Sequence, residues 1–412
     1  MAFSSAEVEY LTANLQVIAA TAHTLELSKS STMADMTVLR AQFGEFSRAV
    51  AELISARRAG VRTHKFPGDS ASLLPSERSE NVASDSEAEI FTWLVDTDSI
   101  QQATPEPVAR FRAQELQSMG VSTVHDITCS VGFEGAALRR AGIGYFGSDI
   151  DRIRLSMARH NVPTGHFFQA DALTQTTNAE VILADPARRA GGRRITSPAD
   201  LLPPLPDLVS THVDKALMVK CAPGLDFSDW DGGITVTSLD GGVKEACLYS
   251  PQLKKTRRAV LLASTSKGDS EPAPYVLEEY SGDREDLPAA GEISEFLIDP
   301  DGAIVRAGLV KDYAAREGLW QIDDRIAYLT GPRIPTGRSG FRFIEEVPIK
   351  KLKSALAALD CGRVEILVRG LDTDPDLLRK KLKLRGTKEY AVIITRIGTR
   401  GVALICSARE WA

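Results

Sequence analysis

Four acidic residues stand at matching places in the middle of this 412-residue chain. Asp126 follows TVH, Asp149 follows YFGS, Asp171 follows HFFQA and Asp185 follows VILA, each a short, largely apolar run. A single acid at the end of such a run is more often a solvated or helix-capping group. Four in register describe a ligand rim, because open α/β sheets bind their ligands beyond the carboxyl ends of the strands. The stretch VHDITCSVGFEG adds a small-residue turn, 128–132, followed by the start of a helix at Phe133. Small residues let backbone N–H groups approach a ligand, and a helix start presents the positive end of its dipole. Asp149 lies about 20 residues beyond the turn, where a Rossmann-type unit puts the carboxylate that holds a ribose diol. The chemistry is that of a nucleoside cofactor. Gly132 keeps one place of a glycine turn while Thr128 and Ser130 fill the others, a departure from G-x-G-x-x-G that weighs against a dinucleotide.

Those acids need strands behind them and helices between. Candidate strands are 123–127, 145–148, 166–169, 181–184, 217–220, 234–238 and 260–263, separated mostly by helix-length segments. That alternation predicts a mainly parallel sheet covered on both faces. VKEACLYSPQLKKTRRA, between the last two, is read as a hairpin with an excursion, giving seven strands with an antiparallel finish. Residues 1–115 read as helical: Leu11, Leu15, Ile18 and Ala19 share a face, as do Val38, Phe43, Phe46, Val50, Leu53 and Ile54. Residues 67–87, rich in Ser, Pro and acids, read as a surface loop, with a lid as the alternative. In QQATPEPVARFRAQE, Thr104 is placed to N-cap a helix with Pro105 in its first position. TSKGDSEPAP (265–274) marks a boundary. Beyond it, helix 347–359, strand 363–370, helix 374–386 ending at Gly386, and a strand pair over 390–398 and 401–407 form a compact α/β module.

Composition narrows the class. With 43% hydrophobic and 25% charged residues, and no long uncharged apolar run, the chain reads as a soluble protein without a transmembrane helix. Acids near the N-terminus argue against a signal peptide, so a cytoplasmic location is expected. Five scattered cysteines without CxxC spacing, and six histidines without a ligand pattern, give no disulfide framework and no metal site. The net charge of −6 is uneven: residues 350–400 carry +7, leaving −13 for the rest. A basic module on an acidic body suits an RNA partner, and a solvated basic helix is the other reading.

DITCSVGFEG, GSDID, QAD and ADPAR resemble the motif series of class I S-adenosylmethionine-dependent methyltransferases. More narrowly, QATPEPVARFRAQ and the DITCSVG turn resemble the bacterial branch related to the RNA cap guanine-N2 methyltransferases, the trimethylguanosine synthase family. GAIVRAGL and LRKKLKLRG resemble the THUMP-like domain that follows the methyltransferase in a group of bacterial proteins. The resemblance covers about 30–412 and implies a Rossmann-like seven-stranded core at 116–268, after a helical domain at 1–115 and before a THUMP-like α/β module at 269–412. It implies S-adenosyl-L-methionine as cofactor and methylation of an exocyclic base nitrogen of RNA as activity. By matching position, Asp126, Thr128, Cys129, Ser130 and Gly132 would hold the methionine end, Asp149 the ribose hydroxyls with Ile150 beside the adenine, and Asp171 and Ala172 the adenine border. Thr104 and Pro105 match a TPE segment near cofactor and substrate.

Asp185 and Pro186 match the D-P-P-aromatic motif that orients a target NH2, with Arg188 in place of the stacking aromatic. Arginine can stack on a base or contact phosphate, and RRAGGRR (188–194) gathers four of them into a candidate RNA-contacting loop. DPAR is also similar to the DPPR of RNA 5-methyluridine methyltransferases, but Cys221 in VKCAPG lacks the Ser and Asn neighbours of their nucleophile and reads as a buried small residue. Lys220 beside it either faces the pocket or does not. Two alternatives stay open: a methyltransferase acting on a protein or small molecule, and a catalytically idle RNA-binding protein of the same fold.

Overall fold

The computed structural model describes residues 3–66, 92–187, 189–190, 193–194, 197–227, 229–264, 275–282 and 286–412. Loop 67–87, the 265–274 boundary and Arg188 lie outside them. The chain forms two compact units, Met1–Lys255 with Val260–Glu278, and Thr256–Ala259 with Glu279–Ala412. Residues 1–115, expected as a separate helical domain, share the first unit with the sheet.

In the first unit, strands β1 (Thr123–Asp126), β2 (Gly144–Asp149), β3 (His166–Gln169) and β4 (Val181–Ala184) pair in parallel, with a helix between β1 and β2 and another between β2 and β3. A two-stranded ribbon, β5 (Arg189–Ala190) and β6 (Arg193–Arg194), follows, closed at its neck by a hydrogen bond from Ala187 N–H to Leu202 O at 2.8 Å. Next come β7 (Ala216–Cys221), β8 (Gly233–Leu239), β9 (Gly242–Tyr249), β10 (Arg257–Ala263) and β11 (Tyr275–Ser281). The sheet runs β11-β10-β8-β9-β7-β4-β1-β2-β3. All seven expected strands are present, but the strand inserted in reverse between β7 and β8 is β9, inside the stretch read as a connection. Its start, Lys244-Glu245, is charged, and Glu245 is buried because a cation meets it. That breaks the apolar pattern by which strands are recognised.

Four N-terminal helices, α1 (Ser5–Ala13), α2 (Leu15–Ala22), α3 (Thr32–Phe43) and α4 (Ser47–Arg62), bury Leu11, Ile18, Phe43, Val50, Leu53 and Ile54 as their spacing predicts. Val38 is the exception at 47% exposed; Leu39 takes the core position. The same cluster includes Val131 of the small-residue turn and Met157, so these helices back the site instead of standing apart. Each buried leucine contributes about 1.5–3 kcal/mol through lost apolar hydration. Helices α5 (Thr97–Gln102) and α6 (Glu106–Ser118) lead into β1. Pro105, not Thr104, is the N-cap of α6, because the Thr104 hydroxyl donates to Glu245 Oε2 at 3.2 Å.

The second unit contains α10 (Gly302–Ala307), α11 (Val310–Glu317), α12 (Leu352–Ala358) and α13 (Pro375–Leu382) around an eight-stranded sheet. At one edge of it β16 (Cys361–Val368) pairs in parallel with β17 (Lys388–Ile397), and β18 (Arg400–Ser407) runs antiparallel to β17. Val392, Ile394, Ala403 and Ile405 pack on one face against Leu352 and Leu356, while Ala391, Ile393, Val402 and Leu404 pack on the other. Burial of both faces explains why these strands read as continuous apolar runs. Helix α13 ends at Lys383 in the left-handed region, three residues before the expected Gly386. Gly386 has a different duty: a Cβ there would lie 2.0 Å from Asp360 O, so only glycine permits this backbone approach.

Candidate functional site

The carboxyl ends of β1, β2, β4 and β7 open onto one cavity of about 520 Å³, a usual size for a small-molecule site. Asp126, Thr128, Cys129, Ser130, Asp149, Ile150, Asp171, Ala172, Asp185 and Thr104 all line it. Gly132, Pro105 and Pro186 do not. Gly132, at φ +93°, takes the left-handed step into helix α7 (Phe133–Arg140), and Pro186 is buried behind Asp185. Residues not expected from the sequence complete the wall: Gln102, Phe133, Glu134, Arg154, and Leu202 with Pro203 from the β4–β7 connection.

Asp149 is anchored by its own backbone surroundings. Ser130 N–H donates to one carboxylate oxygen at 3.0 Å and Asp151 N–H to the other at 2.9 Å. Each oxygen keeps a second lone pair, which is what a ribose diol requires of it. Ser130 itself has φ +49°, a costly conformation for a residue with a side chain, and is pinned there by Asp149 and by Arg154, whose guanidinium donates to Ser130 Oγ at 2.7 Å. Asp171 caps the next turn through Leu173 N–H at 2.9 Å, and Ile150 is 70% exposed at the mouth.

Along the cavity wall and behind it runs an alternating line of charges, most of them buried. Lys220, at the end of β7, faces the pocket and bridges Asp185 Oδ2 at 2.6 Å and Glu134 Oε1 at 3.0 Å. Arg112 of α6 pairs with Glu134 at 2.6 Å and with Glu245 of β9. Burial alone would raise Glu134, but Arg112 and Lys220 hold its carboxyl well below the usual range. Burial works against the Lys220 ammonium, yet Asp185 and Glu134 raise it above its ordinary value, so it stays charged. Asp126 lies beside this line, with no ion pair of its own among the described residues. Burial and the neighbouring Glu134 push it up to about 7, against the pull of Lys220 and of hydrogen bonds from Thr128 N–H (3.2 Å) and Tyr145 OH (3.1 Å).

Two of the cysteines considered earlier offer no nucleophile. Cys221 is fully buried, and burial pushes the Cys129 thiol up. His125 sits inside the sheet between Ser148 and Thr177 hydroxyls at 2.9 and 3.0 Å.

Two relatives from Mycobacterium tuberculosis, strains CDC 1551 / Oshkosh and ATCC 25618 / H37Rv, each named as an uncharacterized S-adenosylmethionine-dependent methyltransferase, are 42% identical to this chain over 375 residues. The matches span 87% of this chain and 96% of each relative. The chain belongs to the S-adenosylmethionine-dependent methyltransferases. A crystal structure from Porphyromonas gingivalis W83, assigned as a methyltransferase, matches over 99% of both chains with TM-score 0.65 and 18% identity, which shows the shared fold. The family model described as THUMP domain-like matches residues 339–408 of this methyltransferase, the β15 (Ser339–Pro348) to β18 part of the second unit. The cavity suits the family's cofactor on chemical grounds: six carboxylates against Arg154 and Lys220 make an acidic wall for a ligand that carries a sulfonium and an ammonium.

Proposed function

We propose that this methyltransferase modifies an exocyclic nitrogen of a base in RNA. The observation that carries the reading is the fixed carboxylate of Asp185 at the rim of β4. Its side chain is held by Lys220, and its backbone N–H donates to Thr128 Oγ1 at 2.7 Å, tying it to the cofactor turn. A carboxylate so fixed accepts an N–H of an incoming amine and turns the nitrogen lone pair toward the cavity. The bound cofactor supplies an electrophilic methyl group. The protein's part is alignment and exclusion of water, which provide most of the rate effect in a transfer that needs little acid–base help.

Within this reading Asp149 takes the ribose hydroxyls, Ile150, Asp171 and Ala172 flank the adenine, and Asp126 with residues 128–130 receives the methionine end. RNA is favoured over protein or metabolites by the THUMP domain-like match at 339–408 and by the basic balance of that segment. The sequence RRAGGRR (188–194) after Asp185 adds four arginines to that charge argument.

The test is transfer of labelled methyl from S-adenosylmethionine to total RNA, protein and metabolite pools, with nucleoside analysis of any labelled RNA. Label in RNA as an N-methylated base, lost in Asp185→Ala, is the expected result. Label confined to protein or metabolites rejects RNA, and label on a ring carbon or ribose hydroxyl rejects the exocyclic nitrogen.

A further inference from the structure

A second cavity of about 570 Å³ lies in the first unit and has the opposite charge character. Arg62, His64, Lys65 and Lys244 line it, with Asp240 as the one acid among the described residues. The chain as a whole carries −6, and the cofactor cavity is walled mainly by carboxylates, so basic residues here run against both backgrounds.

The topology relates the two cavities. β9 is antiparallel to both β7 and β8, so β8 runs parallel to β7 and its carboxyl end shares the rim that carries Asp126, Asp185 and Lys220. The β8–β9 turn at Asp240-Gly241, both with positive φ, brings Lys244 to that rim. Segment 99–105 is a common wall: Ser99, Gln102, Ala103 and Thr104 face the cofactor cavity, and Ile100, Gln101 and Pro105 face the basic one. The Lys65 ammonium donates to Ala103 O and fixes the wall from the basic side. Arg62 and Lys244 are exposed, and Arg62 closes the last turn of α4, where a cation is favoured by the helix dipole.

A substrate that places a base beside Asp185 and continues along this rim meets acids at its reacting end and cations farther on. A nucleic-acid strand has that polarity, a neutral base attached to a phosphate chain. We infer that the basic cavity seats backbone phosphates of the RNA strand whose base enters the cofactor cavity, with Arg62 and Lys244 as the contacting cations. The inference rests on RNA being the substrate. A free nucleotide offers the same phosphate chemistry and is separated by the test.

The experiment uses the full chain and the double variant Arg62→Ala, Lys244→Ala, which touches no residue of the cofactor cavity. Removing Arg62 also relieves its repulsion of Arg58, so folding should be kept, and unchanged S-adenosylmethionine binding by calorimetry verifies it. Binding of bulk transfer RNA and of AMP is then measured across a salt series. At about 0.7 counterions per single-strand phosphate contact, losing two contacts lowers the log–log salt slope by about 1.4 and the affinity at 0.1 M salt roughly 25-fold. Expected are that loss for RNA and no measurable AMP binding by either protein. If the parent binds RNA and the variant binds it with equal affinity and slope, the cavity assignment is wrong while the substrate reading stands. If the parent binds no RNA and transfers no methyl to it, both fall. AMP affinity lost in the variant, with RNA bound equally by both, assigns the cavity to a free nucleotide and overturns the backbone reading.

Discussion

Lys220→Met is the most informative single change, because the ammonium holds two carboxylates at once. With Asp185 at 2.6 Å and Glu134 at 3.0 Å, and all but 3% of the lysine side chain covered, its removal leaves both acids short of a cation. Glu134 keeps Arg112. Breaking a buried pair from one side costs about 3–5 kcal/mol. At about 2–4 °C per kcal/mol for a unit of this size, the unfolding transition of the first unit should fall by about 6–20 °C. Differential scanning calorimetry of the cofactor-free protein reads this directly. Pairing the change with Asp185→Asn removes one of the two carboxylates that faced the ammonium and should restore part of the loss, while Lys220→Arg should retain most of the stability. A Lys220→Met protein melting within about 1 °C of the parent would refute the buried-network account, as would a double variant no milder than the single one.

Three further outcomes are expected. Asp149→Ala should weaken S-adenosylmethionine binding about 10- to 100-fold by calorimetry, the loss of a charged hydrogen-bond partner for the diol; unchanged affinity refutes the assignment. Asp126, at about 7 in the folded chain against roughly 3.9 unfolded, binds more protons folded than unfolded between those values. Its contribution is therefore full at the acid end of that window and lost as pH rises through 7, by up to roughly 4 kcal/mol. Glu134 titrates in the opposite sense below about 4.5, so the two effects separate, and Asp126→Asn should flatten the upper slope in denaturant titrations run from pH 5 to 8. Gly386→Ala should destabilise the second unit by about 1–3 kcal/mol or more in urea, since the new methyl meets backbone and not a movable side chain.

The four strand-end acids were legible because each follows an apolar run, and the structure brings all four to one cavity. The small-residue turn was legible for the same reason: local chemistry is written locally. Lys220, open between two readings, faces the cavity. Arg112, Glu134 and Glu245 were not legible. Buried charges look like solvated ones in a sequence until their partners are known, and these partners lie 22 and 133 residues apart. The same blindness hid β9, whose charged start disguises a buried strand. Thr104 was misread as a cap because its real acceptor, Glu245, is 141 residues away. The apolar face of the N-terminal helices was visible, but not that part of it would be covered by the small-residue turn at Val131.

Asn161, the last residue of helix α8 (Arg152–Asn161), clasps Leu94 through both its N–H and its carbonyl at 2.8 and 2.9 Å, and also donates to Val131 O at 2.9 Å. Next to Leu94, Trp93 stacks on Phe133 with ring centres 4.8 Å apart, and Phe133 lines the cofactor cavity. One amide thus staples the segment at Leu94 to Val131 of the small-residue turn. A shortened protein beginning at β1 would be no leaner catalyst. Its 128–132 turn would lack a buttress, and chain boundaries chosen for expression or for transplanting the parallel sheet must begin upstream of the first helix.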